Sequence, residues 1–272
     1  TDTVMSSVSF SAASLPDVEN VTLTGSASVN AFGNSGANIL IGNSGDNLIN
    51  GHGGADTMSG GAGNDTFFVD STLDIVTENL GEGIDTVVAT KNFTLGDNLE
   101  NLTLSGTLGI TGTGNALDNV LTGNGSDNTL AGDGGNDTLQ GGLGNDVMTG
   151  GAGNDTFLFS AGDGSDVITD AGQNDVIKFD ASVDASSVTF TQNGNDLVVN
   201  DGTPGDAITI DNFFAGAANQ TETFVFNDGT VYDADFINAH LTNPPVVGTT
   251  VTGTEGDDLL VGQPGDMLVG GA

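Results

Sequence analysis

From Gly114 to Leu158 one large apolar residue falls at every ninth position: Leu121, Leu130, Leu139, Met148 and Phe157. Between them the chain is mostly Gly, Asn, Asp, Ser and Thr. An earlier array, opening at Gly33, spaces Leu40, Ile49, Met58 and Phe67 in the same way. A fixed short period predicts a fold built by stacking one unit. The apolar eighth residue of each unit is expected to point into a narrow core, and the polar, Gly-rich remainder to turn the chain. Segments outside the arrays alternate instead. Val21 and Leu23, and later Leu102 and Leu104, are separated by Thr, as in half-buried strands. The solenoid is therefore expected to continue through 1–32 and 70–113 with less regular turns.

A longer duplication encloses the arrays. Val18-Glu19-Asn20-Val21-Thr22-Leu23-Thr24-Gly25 returns nine nonapeptides later as Leu99-Glu100-Asn101-Leu102-Thr103-Leu104-Ser105-Gly106. Residues 1–84 and 85–175 read as two copies of one roll unit. Residues 176–242 read as a β-rich cap. Val188–Thr191 and Leu197–Val199 flank an Asn-Gly turn signal, and Ala207–Ile210 and Thr223–Phe226 read as strands. Asp233 is placed to cap a short helix ending near His240. Residues 243–252, with Pro244 and Pro245, read as a linker, and 253–272 as the start of a further repeat. The fold class expected is all-β, a parallel β-roll or β-helix solenoid with a small β-rich capping segment. The abrupt start and stop suggest a piece of something longer.

Charge narrows the function. There are 37 Asp plus Glu against 2 Lys plus Arg, a formal net charge of −35. Two carboxylates ~4 Å apart repel by ~4 kcal/mol at an effective dielectric of 20. The acids must therefore spread over wetted surface or be gathered by a cation. Nucleic acid is excluded as a partner, because phosphate binding needs clustered Lys or Arg. No apolar run is long enough for a transmembrane helix, so membrane insertion is not expected. There is no Cys, hence no disulfide or thiol chemistry.

The nonapeptide template is G-G-x-G-x-D-x-U-x, with U apolar. Gly serves sharp turns with positive φ and close backbone approach, turns that aim carbonyls inward. Position six adds a side-chain oxygen. No nitrogen or sulfur ligand recurs, and an all-oxygen, flexible set suits Ca²⁺ better than Mg²⁺.

On these motifs the chain resembles the RTX, or haemolysin-type calcium-binding repeat, family. The resemblance implies two nonapeptides per coil, so that turns two nonapeptides apart stack with Ca²⁺ between them. It implies several bound ions, held by Asp56 and Asp65 in the first array and by Asp137, Asp146 and Asp155 in the second. Turn carbonyls of Gly51, Gly53, Gly60, Ala62, Gly132, Gly134, Gly141, Leu143, Gly150 and Ala152 would complete the sites, and Asp137 with Asp155 is the best-matched pair. Asn38, Asn47, Asn119 and Asn128 replace the family's Asp at position six, so their sites are expected to bind more weakly or stay empty. Asp74, Asp85, Asp166 and Asp175 recur eighteen or twenty positions after template Asp residues and are either further ligands or ordinary loop acids. Asp258 belongs to the late repeat.

The family also implies export, through a type I channel from a calcium-poor cytoplasm, with folding outside the cell or at its surface. Catalysis is not expected. G-x-S-x-G and H-E-x-x-H are both absent. His52 sits at a turn, His240 at a helix end, and Tyr232 reads as a packing residue of the cap. Two functions remain. One is a structural module of an adhesin, surface layer, matrix or filament, self-associating into a surface or fibrous assembly. The other is the secretion and folding tail of a larger enzyme or cytolysin.

Overall fold

The computed structural model describes residues 1–169, 174–216 and 222–242, together with the backbone of two strands, Thr250–Thr252 and Met267–Val269. Asp258 and most of 243–272 lie outside the described residues.

The chain winds as a parallel β-solenoid of about ten turns. One face is a continuous 12-stranded sheet running from Phe10–Ser11 through Leu48–Asn50, Thr66–Val69, Asn101–Leu104 and Thr156–Phe159 to Val231–Tyr232. The opposite strands form two ladders. A 5-stranded sheet covers Asp2–Ser6 to Ile75–Val76, and an 8-stranded sheet begins at Phe93–Thr94.

Registers show the coil length directly. Leu121 pairs with Leu139, and Leu130 with Met148, each two nonapeptides on. Where a loop carries two extra residues the register lengthens by two, as in Phe67 against Val87. Each position-eight residue thus sits on its counterpart one coil away. Leu40, Ile49, Met58, Phe67, Leu121, Leu130, Leu139, Met148 and Phe157 are all fully buried, so they form continuous rows inside the roll. Burying such a side chain contributes about 1.5–3 kcal/mol. That is why an apolar residue every ninth position suffices to define the core.

The duplicated segments exchange faces. Their offset of nine nonapeptides is an odd number of half-coils. Val18–Leu23 lies in the 5-stranded sheet, whereas its copy at Asn101–Leu104 lies in the 12-stranded one. The second copy therefore presents its equivalent strands on the opposite face.

The parallel winding does not stop at residue 175. Val176–Phe179 pairs with Thr156–Phe159, Ala207–Ile210 with Ser165–Ile168, and Thr223–Val225 with Val176–Phe179, all parallel. Antiparallel strands cover the ends of the sheets that these strands extend. Thr189–Asn193 and Asp196–Asn200 form a hairpin in which Asn193 pairs with Asp196, leaving Gly194-Asn195 as its two-residue loop. The turn pair is thus Gly-Asn, with Gly194 at φ 64, one residue later than the Asn-Gly signal suggested. Val231–Tyr232 closes the 12-stranded sheet, and the helix Ala234–Ala239 follows, its first turn capped by Asp233 Oδ1, which accepts from Phe236 N at 2.9 Å. Phe190 packs edge-on against Phe224, Tyr232 and Phe236 at 5.7–6.5 Å between centroids. Covering sheet edges in this way blocks further strand addition.

Candidate metal centre

The turns of the roll hold the chemistry. Fourteen Asp or Glu residues are buried among the described residues, and most lie where turns stack. Both lysines, Lys91 and Lys178, are exposed, so neither neutralises a buried carboxylate.

The sixth-position acids form hydrogen-bonded ladders along the roll. Asp56 Oδ1 accepts from Asn38 N at 2.8 Å, and Asp65 Oδ1 from Asn47 N at 2.6 Å. In the second array Asp137 Oδ1 accepts from Asn119 N, Asp146 Oδ1 from Asn128 N, and Asp155 Oδ1 from Asp137 N, all at 2.7 Å. The less regular acids join the same ladders. Asp74, Asp85, Asp166 and Asp175 accept from the backbone N–H of Asp56, Asp65, Asp146 and Asp155, at 2.7–3.0 Å. Asp74 differs in that its Oδ2 is also engaged, by Asp70 N and Ser71 N. One carboxylate oxygen of each residue is thereby fixed by the neighbouring coil.

The other oxygen is the informative one. Oδ2 of Asp56, Asp65, Asp85, Asp137 and Asp146 is buried with no hydrogen-bond partner. A buried polar atom without a partner costs about 1–3 kcal/mol, and more when charged. Burial accordingly pushes the carboxyls of Asp56, Asp85, Asp137 and Asp146 up to about 6 from the ordinary 3.8, against the lowering effect of the N–H each accepts. Asp65 and Asp166 are pushed up to about 7 by burial. Neighbouring acids add to the rise, Asp155 beside Asp137 for one.

The glycines make room for this. A Cβ on Gly51, Gly60, Gly132, Gly141 or Gly150 would overlap Oδ2 of the Asp five residues on. All five glycines are buried. The third-position residues Gly53, Ala62, Leu143 and Ala152 lie exposed at the turn tips, with Gly134 half-buried. At position four the backbone of one turn lies on a carbonyl of the turn below: Gly153 over Gly135 O, and Gly54 over Gly36 O. Both have positive φ, 151° and 148°, a region L side chains avoid.

Among the described residues no three His, Cys, Asp or Glu side chains converge closely enough to hold a metal alone. Any ion here must draw on backbone carbonyls as well as on the stranded oxygens. An all-oxygen set of paired carboxylates and stacked carbonyls fits a hard, flexible cation such as Ca²⁺. Bound there, such an ion would neutralise the carboxylates and fill their open coordination.

The four Asn turns are built differently. Asn38 Oδ1 accepts from Asn34 N at 2.8 Å within its own turn, and Asn119 Oδ1 from Asn115 N at 2.7 Å. The Asn amide nitrogens reach back one coil. Asn38 Nδ2 donates to Val18 O and Glu19 O, and Asn119 Nδ2 to Leu99 O and Glu100 O, at 3.1–3.2 Å. No orphan oxygen occurs in these side chains.

Sequence reasoning missed three kinds of residue. Glu78 accepts from Gly60 N and is pushed up to about 8, by burial first, with Glu82 and Asp85 adding to the rise. Glu100 takes over the Asp85 N–H, at 2.8 Å, where the strand register shortens. Neither lies on the template, though each bonds a group roughly one coil away in the chain. The third kind is position two, where Asn34, Asn43, Asn115 and Asn124 accompany Asn at position six without exception. That pairing was visible in the sequence.

Comparison with known proteins agrees with this geometry. The model of the RTX calcium-binding nonapeptide repeat (4 copies) matches residues 32–67, 113–147, 122–157, 158–184 and 249–266. The haemolysin-type calcium binding protein related domain matches 196–235. The fold and its turns thus define a calcium-binding repeat solenoid. The chain belongs to the RTX, haemolysin-type calcium-binding repeat family. No curated protein matches it. Among solved structures the extracellular lipase LipA from Serratia marcescens matches at 21% identity and a TM-score of 0.23, covering 70% of this chain and 38% of that one. The chain thus spans well under half of the lipase.

Proposed function

We propose that this chain is a non-enzymatic, extracellular calcium-dependent structural module, which folds when it meets Ca²⁺ and then holds a rigid rod. One observation carries the reading: buried carboxylate oxygens of Asp56, Asp65, Asp85, Asp137 and Asp146 have no partner in the protein, and both lysines lie exposed on the surface. A stack with this many stranded charges is self-repelling until a cation enters. A ligand that binds the folded state alone stabilises it by mass action, and a site that exists only between stacked turns makes ion binding and folding one event. Low calcium would then keep the Asp coils unfolded during export, and higher calcium outside would fold them.

A structural role is favoured by the duplicated unit and by Ile39, Ile41 and Ile75, large apolar residues left exposed on the outer face of the 5-stranded sheet. Among the described residues no helix is long and apolar enough to cross a membrane. The test is circular dichroism of the whole chain before and after chelation. Loss of the β signal on chelation, regained with calcium and not with magnesium, supports the reading. An unchanged spectrum overturns it. Electron microscopy of the calcium-loaded protein then decides between rods that assemble and rods that stay single.

A further inference from the structure

Among the described residues, the nine template turns of the two arrays fall into two classes that differ in backbone as well as in side chain. In the five Asp turns position two has positive φ: His52 58°, Gly61 89°, Asp133 76°, Gly142 90° and Gly151 107°. In the four Asn turns position two is always Asn, and none of these four residues has positive φ. The conformational difference decides what the sixth residue can do. With position two out of the left-handed region, its N–H reaches the sixth side chain, as Asn115 N does with Asn119 Oδ1. The position-two carboxamide turns toward the coil below: Asn115 Nδ2 donates to Gly96 O at 2.7 Å and Leu99 O at 2.8 Å. Asn119 Nδ2 joins it on Leu99 O. Two amide groups thus converge on the carbonyls of the coil below.

In an Asp turn the polarity of the same step is reversed. The sixth side chain accepts an N–H from the coil below and leaves Oδ2 open, as Asp137 does with Asn119 N. We infer that the Asn turns close their coil steps without any ion, their paired carboxamides standing in the cation's place, and that positions two and six together select between ion-free and ion-requiring turns. Each array then opens with one complete coil of Asn turns (positions 33–50 and 114–131) that needs no calcium, and continues with coils that do. The inference rests on the Asp turns being calcium sites, and it gives the Asn coils a separate role, that of a preformed end on which the calcium-dependent coils are laid down.

Two measurements on the full chain test it. Native mass spectrometry in calcium counts ions for the wild type, for Asp133→Asn/Asp137→Asn, and for Asn115→Gly/Asn119→Asp. The first variant should carry at least one ion fewer and the second one more. Hydrogen exchange of the wild type in chelator should leave amides of 39–50 and 120–131 exchanging at least about tenfold more slowly than those of 57–69 and 138–159. Unchanged ion counts in both variants, or equal exchange in the two kinds of coil, overturn the inference. A wild type that binds no calcium at all would instead defeat the reading of the Asp turns, and the exchange measurement would still report on the Asn coils.

Discussion

The turn at Gly114–Asn119 and the turn one coil later at Gly132–Asp137 occupy equivalent places in the roll and have opposite needs. The first saturates its own hydrogen bonds through two side-chain amides. The second fixes Oδ1 of Asp137 on Asn119 N and leaves Oδ2 stranded in a buried space beside Gly132. Replacing an NH₂ by an oxygen at position six reverses the direction of one hydrogen bond and adds a charge. The solenoid can accept that reversal only where something positive lies between the coils. The repeat is thus one strand-and-core design with two interchangeable closures, and calcium dependence belongs to the closure rather than to the fold.

The contrast is broken most severely by taking the ion away. Chelation should abolish ordered structure in the Asp coils, followed as loss of protection over 57–69 and 138–159. Next in size is the core both closures share. Phe157 is fully buried between Leu139 and Ile177 of the neighbouring coils, and Phe157→Ala should cost about 3–5 kcal/mol. The loss should appear in calcium-saturated denaturation, where both kinds of turn depend on that row. A smaller effect is expected from Asn119→Asp alone. It removes two donated hydrogen bonds and buries a charge while Asn115 keeps the wrong backbone, for a loss of about 1–3 kcal/mol at neutral pH. Restoring stability by adding Asn115→Gly in calcium, and not in chelator, would separate the two closures cleanly.

Acidity sharpens the same comparison. In the ion-free roll the buried carboxyls of Asp56, Asp137 and Asp146 sit at about 6, and those of Asp65 and Asp166 at about 7, above the ordinary 3.8. A group whose folded-state pKa is raised favours folding while protonated. Its contribution is complete below about pH 4 and is lost as pH climbs through 6 to 7. Chelated protein should therefore gain β structure on acidification from neutral pH to about 4.5. Calcium competes with those protons, so its apparent affinity should fall across the same window. A titration of calcium affinity against pH that stays flat between 5 and 7 would contradict the burial of these groups.

Much of this was readable in the residues. The nine-residue rhythm fixes the coil, because a buried apolar residue at position eight and a turn between leave few other ways to stack. Asp at position six announces an oxygen-rich site for the same reason. What escaped was whatever depends on three-dimensional offset. The exchange of faces between the two copies follows from an odd number of half-coils, and a repeat read along the chain has no faces. Glu100 enters the ladder because the register shortens between Thr86 and Asn101, whereas Glu78 stands one regular coil beyond Gly60, at a place where the template puts Gly and so announces no acid. The role of position two was hidden because Asn, Gly, Asp and His there look like interchangeable turn residues until their φ values are known.

The most direct test is a high-resolution crystal structure of the chain grown in millimolar calcium, with anomalous scattering used to place the ions. The account predicts ion peaks within coordination distance of Oδ2 of Asp137 and Asp146, and none beside the amide groups of Asn119 and Asn128. Well-ordered coils with no ion at either aspartate would contradict it.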